Sequence, residues 1–262
     1  VTTLHSDYKL AGRFKLQRIK ADTGEVVETR EFKNLITDLG LNRIGSASAH
    51  NFAYVSNNAT APSVSDTALA GFVAGTSTVQ GYVTNSTSSS PYWFEYTLTW
   101  RFSAGAAAGN LTKVGVGWTA NSAAGLWSSA LIVDGVGNPT TLTVLSDEFL
   151  DVSYTLRYYP PLTDSTATVS ISGVTHTIVS RAAQITARTV GLPAAVSLNA
   201  SVTFYGGASA LGPLTGNITG NTGTASGGTI SPVAYVANSL RATGSLAAGL
   251  NVGNIAGGVT GI

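Results

Sequence analysis

YWFEYTLTWRF, residues Tyr92–Phe102, alternates in character along its whole length. Side chains of a strand point to opposite faces in turn, so Tyr92, Phe94, Tyr96, Leu98, Trp100 and Phe102 share one face. Trp93, Glu95, Thr97, Thr99 and Arg101 share the other. The first face is wholly apolar or aromatic and the second mostly polar, the pattern of a half-buried strand. At ~3.3 Å per residue it spans roughly 36 Å, and burying that apolar face contributes on the order of 9–18 kcal/mol before opposing terms. A face of that size needs an equally extended apolar surface to cover it.

A second stretch of the same kind runs from Glu148 to Tyr159. There Leu150, Val152, Tyr154, Leu156 and Tyr158 form an unbroken apolar row opposite Phe149, Asp151, Ser153, Thr155, Arg157 and Tyr159. The two stretches are expected to be partners inside one sandwich. Between and before them lie shorter strand candidates: Asn51–Val55, Gly71–Val83, Leu111–Trp118, Trp127–Val133 and Thr140–Leu145, separated by turns rich in Gly, Asn and Pro. In Leu111–Trp118, Val114, Val116 and Trp118 alternate with Lys113, Gly115 and Gly117, which predicts either a close neighbour over the bare glycines or a bend.

Lys9–Phe32 reads as a β-hairpin turning at Ala21–Gly24, and Asn34–Ile44 as a short helix capped by Asn34 and ended near Gly40. Ser65–Ala70 resembles a single helical turn. Pro160 and Pro161 cannot donate to a ladder and close the main β unit. Beyond them, VSISGVTHTIVS turns as a hairpin at Ser172–Gly173, Val196–Tyr205 is one more strand, and 206–228 consists largely of Gly, Thr, Ser, Asn and Ala.

The fold expected is all-β: an antiparallel, jelly-roll-like β-sandwich with an N-terminal hairpin and short helix, a second small β region, and an extended Gly-rich C-terminal segment. The corresponding divisions are 1–45, 46–160, 161–205 and 206–262, the last an arm or the start of a further oligomeric β domain.

Composition narrows the function. Charged residues make up 10% of the 262-residue chain, against ~25% in ordinary globular domains. About half of them precede Ile44, and after Arg188 only Arg241 is charged. So little charge suits a surface that meets copies of itself or partner proteins. A net charge of +1 argues against nucleic acid as a partner, since neutralising phosphates takes a concentrated basic face. The absence of cysteine removes disulfides, thiolate metal sites and cysteine nucleophiles. Val1–Leu10 is polar, without the pattern of a secretory signal, and no run approaches the ~20 apolar residues of a membrane-spanning helix, so membrane insertion is not expected.

Candidate chemistry is sparse. His5, His50 and His176 are far apart, none has a second ligand at helical or strand spacing, and no metal is expected. Asp147, Glu148 and Asp151 form the densest acidic cluster, the residue types of a Ca²⁺ loop or a glycosidase pair, but they stand where a turn enters a strand and are read as solvated. No G-x-S-x-G elbow, P-loop or dinucleotide fingerprint is present. Neither a catalytic residue nor a cofactor is therefore assigned. Trp100 and Trp118 sit on apolar strand faces and read as core. Trp93, on the polar face of its strand with Glu95 and Arg101, is the better candidate for an interface or ligand platform, and Tyr82 and Tyr235 join it as possible interface residues.

Several segments resemble the opening of tailed-bacteriophage virion proteins of the tail-fibre or tail structural type. Thr23-Gly24-Glu25-Val26-Val27 is similar to their "TGEV" turn, and Phe32–Gly45 to their "F-x-NLIT-x-x-GL-x-R-I/L-G" segment. Ala61–Leu69 is similar to "P-x-V-x-D-T-x-L". The likeness continues at Val114–Trp118, Gly137–Thr141 and Glu148–Val152, and so covers roughly Asp22 to Tyr159. It implies a non-enzymatic virion protein, assembled in the host cytoplasm as a homo-oligomer, a trimer or a multiple of three. Its partners would be itself, other virion proteins at the tail, baseplate or head-to-tail region, and a host-surface receptor. The motifs are structural and bring no catalytic residues with them.

Overall fold

The computed structural model describes residues 9–43, 50–86, 93–159, 165–171, 174–180, 201–205, 225–236 and 241–246. Two antiparallel five-stranded sheets make up the main body. The first contains β1 (Lys9–Lys20), β2 (Val26–Lys33), β6 (Val79–Ser86), β7 (Phe94–Phe102) and β12 (Glu148–Tyr159), in the order β2-β1-β12-β7-β6. The second contains β3 (Leu35–Ile36), β4 (Phe52–Ser56), β5 (Phe72–Thr76), β9 (Lys113–Gly117) and β10 (Leu126–Leu131), in the order β3-β10-β9-β4-β5. A two-stranded pair, β8 (Gly109–Leu111) and β11 (Leu142–Val144), adds Leu111, Leu142 and Val144 to the shared core.

The alternation in β7 and β12 does what the sequence predicts. Tyr96, Leu98, Trp100 and Phe102 are buried, as are Leu150, Val152, Tyr154 and Leu156. The two strands are hydrogen-bonded neighbours in one sheet, with Trp100 opposite Val152 and Leu98 opposite Tyr154, so their apolar rows lie side by side. What covers both rows is the second sheet, through Ala53, Val55, Val114, Val116 and Trp127 in one continuous core.

The hairpin at β1 and β2 forms as expected, with Gly24 at φ 72° in the turn. It is also part of the main sheet. β1 pairs along its whole length with β12, from Lys9 opposite Tyr159 to Lys20 opposite Glu148, and Phe14 and Leu16 enter the core. Arg13 and Lys15 lie on the outward face of β1, whereas Arg18 lies in phase with Phe14 and Leu16 and is held at the rim of the core by Glu148 and Glu28.

Three local expectations are corrected. The helix α1 spans Asp38–Asn42 and its cap is Thr37, whose hydroxyl accepts from the Gly40 amide. Gly40 lies inside the helix, where a Cβ would collide with the Trp127 carbonyl oxygen, so glycine serves close packing here and not termination. Ser65–Ala70 is turn and irregular chain, with the Asp66 carboxylate accepting from the Ser63 amide. The single strand expected over Gly71–Val83 is two strands in different sheets, since β5 pairs with β4 and β6 with β7. Thr76 and Thr78 hold the crossing by bonds to the Arg101 backbone, the Thr76 hydroxyl donating to its carbonyl and its amide donating to the Thr78 carbonyl.

The bare glycine face of β9 has a close neighbour. Leu69 and Leu126 pack over Gly115, and Gly117 lies against the Tyr54 hydroxyl and the Gly125 carbonyl. Tyr54, Leu69 and Leu126 thereby form a small second core on the outer side of the second sheet.

Further along, β13 (Ser165–Ile171) and β14 (Val174–Ser180) form the expected hairpin, with Ile171 opposite Val174. β15 (Ser201–Tyr205), β16 (Ala225–Val236) and β17 (Arg241–Leu246) form a three-stranded sheet. The Pro160–Pro161 break and the segment 206–224 lie outside the described residues.

Candidate functional site

Trp93, Glu95 and Arg101, singled out from the sequence, lie together on the outer face of the first sheet. Because β7 and β12 are in register, their outward side chains form facing pairs across the strands: Glu95 with Arg157, Thr97 with Thr155, Thr99 with Ser153, and Arg101 with Asp151. Each pair is joined. Arg157 donates to Glu95 at 2.9 Å, with its second nitrogen 2.7 Å away. The Thr97 and Thr155 hydroxyls are 2.7 Å apart, and those of Thr99 and Ser153 2.8 Å. Arg101 donates to both Asp151 carboxylate oxygens, at 2.6 and 2.7 Å. The row is thus two hydroxyl pairs bracketed by two opposite-signed ion pairs.

Aromatic rings cap the cations. The Arg157 guanidinium stands 4.1 Å from the centroid of Trp93, and that of Arg101 stands 5.0 Å from Phe149. Asn85 on β6 donates to Glu95 at 3.4 Å. Hydrogen bonding to Asp151 and Glu95 raises the basicity of Arg101 and opposes the effect of burial on Arg157, whose pKa is also raised, with help from Tyr159. Glu95 and Asp151 are themselves buried, so every charge in the row is committed to its cross-strand partner.

Trp93, Glu95 and Arg101 are therefore brought onto one face, as expected, but as parts of an internally satisfied ladder. Tyr82 is half-buried against the core beside Tyr96, its ring centroid 6.4 Å away, and burial raises its pKa. It does not join the Trp93 group. Tyr235 lies in β16 opposite Ala242, in the three-stranded sheet.

The acidic cluster is split in the same way. Glu148 is buried and grips Arg18, receiving bonds of 2.9 and 3.1 Å, and it also accepts from the Leu145 amide. Burial raises its pKa, but these bonds outweigh that and hold the carboxyl below its ordinary range. Asp151 belongs to Arg101, so two of the three acids read as solvated are ion-paired, while Asp147 is exposed as expected. Among the described residues no group of three His, Asp or Glu could hold a metal ion. Also among them, no helix is long and apolar enough to cross a membrane.

Of the histidines, His5 lies outside the described residues, and His176 is in β14 opposite Val169. His50 is the one whose setting the sequence did not reveal. It is buried in the sandwich, with Nδ1 2.9 Å from the Tyr96 hydroxyl and its ring edge-on to Trp127 at 4.3 Å. Burial lowers its pKa to about 3. Nearby, the Tyr154 hydroxyl accepts from the Trp127 indole at 3.0 Å and from Asn34 at 3.1 Å, and Asn34 also donates to Ser128. Asn34, read from sequence as a helix cap, is thus a polar tie between the two sheets.

Beside this network, where β2 leaves the edge of β1, a cleft of about 550 Å³ is lined by Leu10, Arg13, Asn34, Leu41, Arg157 and Tyr159 among others. It lacks any paired acid and nucleophile, and its Glu95 wall is already bound to Arg157. No family model matches the chain, and neither does any curated protein or solved structure.

Proposed function

We propose that this chain is a non-enzymatic structural component of a bacteriophage tail, a tail-fibre or baseplate-associated protein, built on a jelly-roll-like sandwich. In this reading it acts in the virion as a homo-oligomer, a trimer or a multiple of three, contacting other virion proteins. The observation that carries the proposal is where the virion-like motif residues fall. The Thr37 hydroxyl donates to the Leu126 carbonyl at 2.7 Å and caps α1, while Gly40 packs on Trp127. Asn34 bonds Ser128 and Tyr154, Leu69 covers Gly115, and Leu150 and Val152 fill the core. Asn34 ties sheet to sheet, Thr37, Gly40 and Leu69 fasten α1 and the neighbouring chain to the second sheet, and the rest fill the core, packing roles of the kind a scaffold protein requires.

Antibodies raised against the chain, applied to purified particles in electron microscopy, test the proposal. Label at the tail or its fibres is expected; particles free of the chain by mass spectrometry would refute it. A second reading, a receptor- or carbohydrate-binding module at the virion surface, draws on the Trp93 ring beside Arg157. Glycan-array binding lost in Trp93→Ala would favour it. Label on the head or neck would move the assignment to a head or head-to-tail decoration protein.

A further inference from the structure

The two flanks of the sandwich are built to opposite rules. An edge strand offers every second N–H and C=O outward, and proteins blunt such edges with charge, proline or brevity. On one flank β3 is two residues long, and β2 carries Glu28, Arg30, Glu31 and Lys33, tied by ion pairs of Arg18 with Glu28 and Arg13 with Glu31. On the other flank β5 and β6 are both edge strands, because the chain steps from one sheet to the other between them. From Phe72 to Ser86 there is neither a charged residue nor a proline. Four apolar side chains there are exposed, Phe72, Val73 and Val79 at 38% each and Val83 at 56%. Among the described residues no strand pairs with the outer edge of β6. Its one irregularity, a register shift between Val79 and Gly81, leaves Gly81–Ser86 running straight beside β7.

We infer that this flank is an interface between two copies of the chain, in which β6 pairs antiparallel with β6 of the second copy about a two-fold axis at Val83. An antiparallel strand centred on one residue is its own complement, and a two-fold interface demands a patch that matches itself. A strand without charge meets its own copy without like-charge repulsion. In this register Val83 faces Val83 of the second copy, and Gly81 faces Asn85. The two five-stranded sheets then continue as one ten-stranded sheet, which removes the exposed valine and satisfies the outward amides. A different protein's strand would not require both the neutrality and the central apolar residue of β6 to be matched by themselves.

The contact does not depend on a place in a virion. Added to three-fold assembly it gives six copies; alone it gives two. Light scattering on the full chain, behind size-exclusion chromatography, reads the mass against 26.7 kDa per copy. An even number of copies is expected. Val83→Lys and Val83→Glu each place like charges opposite one another and are expected to halve the mass, and mixing the two variants is expected to restore it. Hydrogen exchange on the unaltered chain is the independent readout, with protection of 81–86 rising at least tenfold from dilute to concentrated solution. A monomer, an odd number of copies, variants of unchanged mass, a mixture that stays dissociated, or exchange at 81–86 indifferent to concentration would each overturn the proposal. A trimer in particular would remove the two-fold contact while leaving the proposed virion role standing.

Discussion

His50 makes the stability of this sandwich acid-sensitive as the pH falls below the pKa of an ordinary imidazole. The ring is buried among Tyr96, Trp127 and Tyr154, and its pKa is lowered from 6.5 to about 3. In the unfolded chain the same imidazole takes up a proton near pH 6.5. Above that pH both states are neutral there, and the histidine contributes no pH dependence. As pH falls below 6.5 the unfolded state binds a proton that the folded state refuses, so stability drops by up to ~1.4 kcal/mol per pH unit until the folded pKa is reached. By pH 4.5 the loss is roughly 2–3 kcal/mol, a large share of the ~5–15 kcal/mol that a domain has. Urea unfolding at pH 7.5 and pH 4.5, with the chain and with His50→Gln, measures it. Glutamine cannot titrate and keeps a polar atom for the Tyr96 hydroxyl, so the difference between the two pH values should shrink by about 2 kcal/mol in the variant. An unchanged difference, or an NMR titration of His50 with a midpoint near 6.5, would refute the reasoning.

Other expectations follow from single contacts. Arg101→Ala leaves the Asp151 carboxylate buried without its two bonds and should cost about 2–3 kcal/mol in chemical unfolding, more than Asp151→Asn, which leaves the half-exposed guanidinium free to reach water. Gly40→Ala drives a methyl group into the Trp127 carbonyl and should cost about 2–3 kcal/mol, visible as a lower melting temperature. Gly24→Ala meets no neighbouring atom but strains a turn at φ 72°, and should cost about 1 kcal/mol in the same assay. Below the ordinary carboxylate range, stability should fall further as Glu148, held ionised by the Leu145 amide and Arg18, is protonated; Glu148→Gln should flatten the acid limb of the profile.

The sandwich was legible in sequence wherever one face of a strand is buried and the other is not. The rows on β7 and β12 and the glycines of β9 follow from the period of two alone. Which strands are neighbours was not legible, because a period of two records a buried face but no partner, and β12 turned out to sit beside both β1 and β7. The step from β5 to β6 is not legible, because Ser77 and Thr78 include no glycine, proline, Asn or Asp and the polarity does not change across them. Asn34 and Thr37 are both good cap residues, and the choice between them was made by Ser128, Tyr154 and the Leu126 carbonyl, all remote in sequence. The outward ladder was half legible. The candidates Trp93, Glu95 and Arg101 were placed on one face correctly, but their engagement by Arg157 and Asp151 depends on register between strands about fifty residues or more apart. His50 gave no signal at all, since a lone histidine before a strand looks the same buried or exposed.

The pairing of Lys9 with Tyr159 has a mechanical consequence. The chain enters the sandwich and leaves it at adjacent residues of one antiparallel pair, so tension between the preceding and following segments pulls these two strands apart from their shared end. Bonds loaded in that way break one after another, as a zipper does, whereas strands pulled lengthwise must break together. Force along the polypeptide therefore meets β1 and β12 first, at the Tyr159 end and far from the Arg18–Glu148 clasp. In an assembly under load, the sandwich would hang beside the line of tension as a pendant, and strength along that line would have to come from contacts between chains.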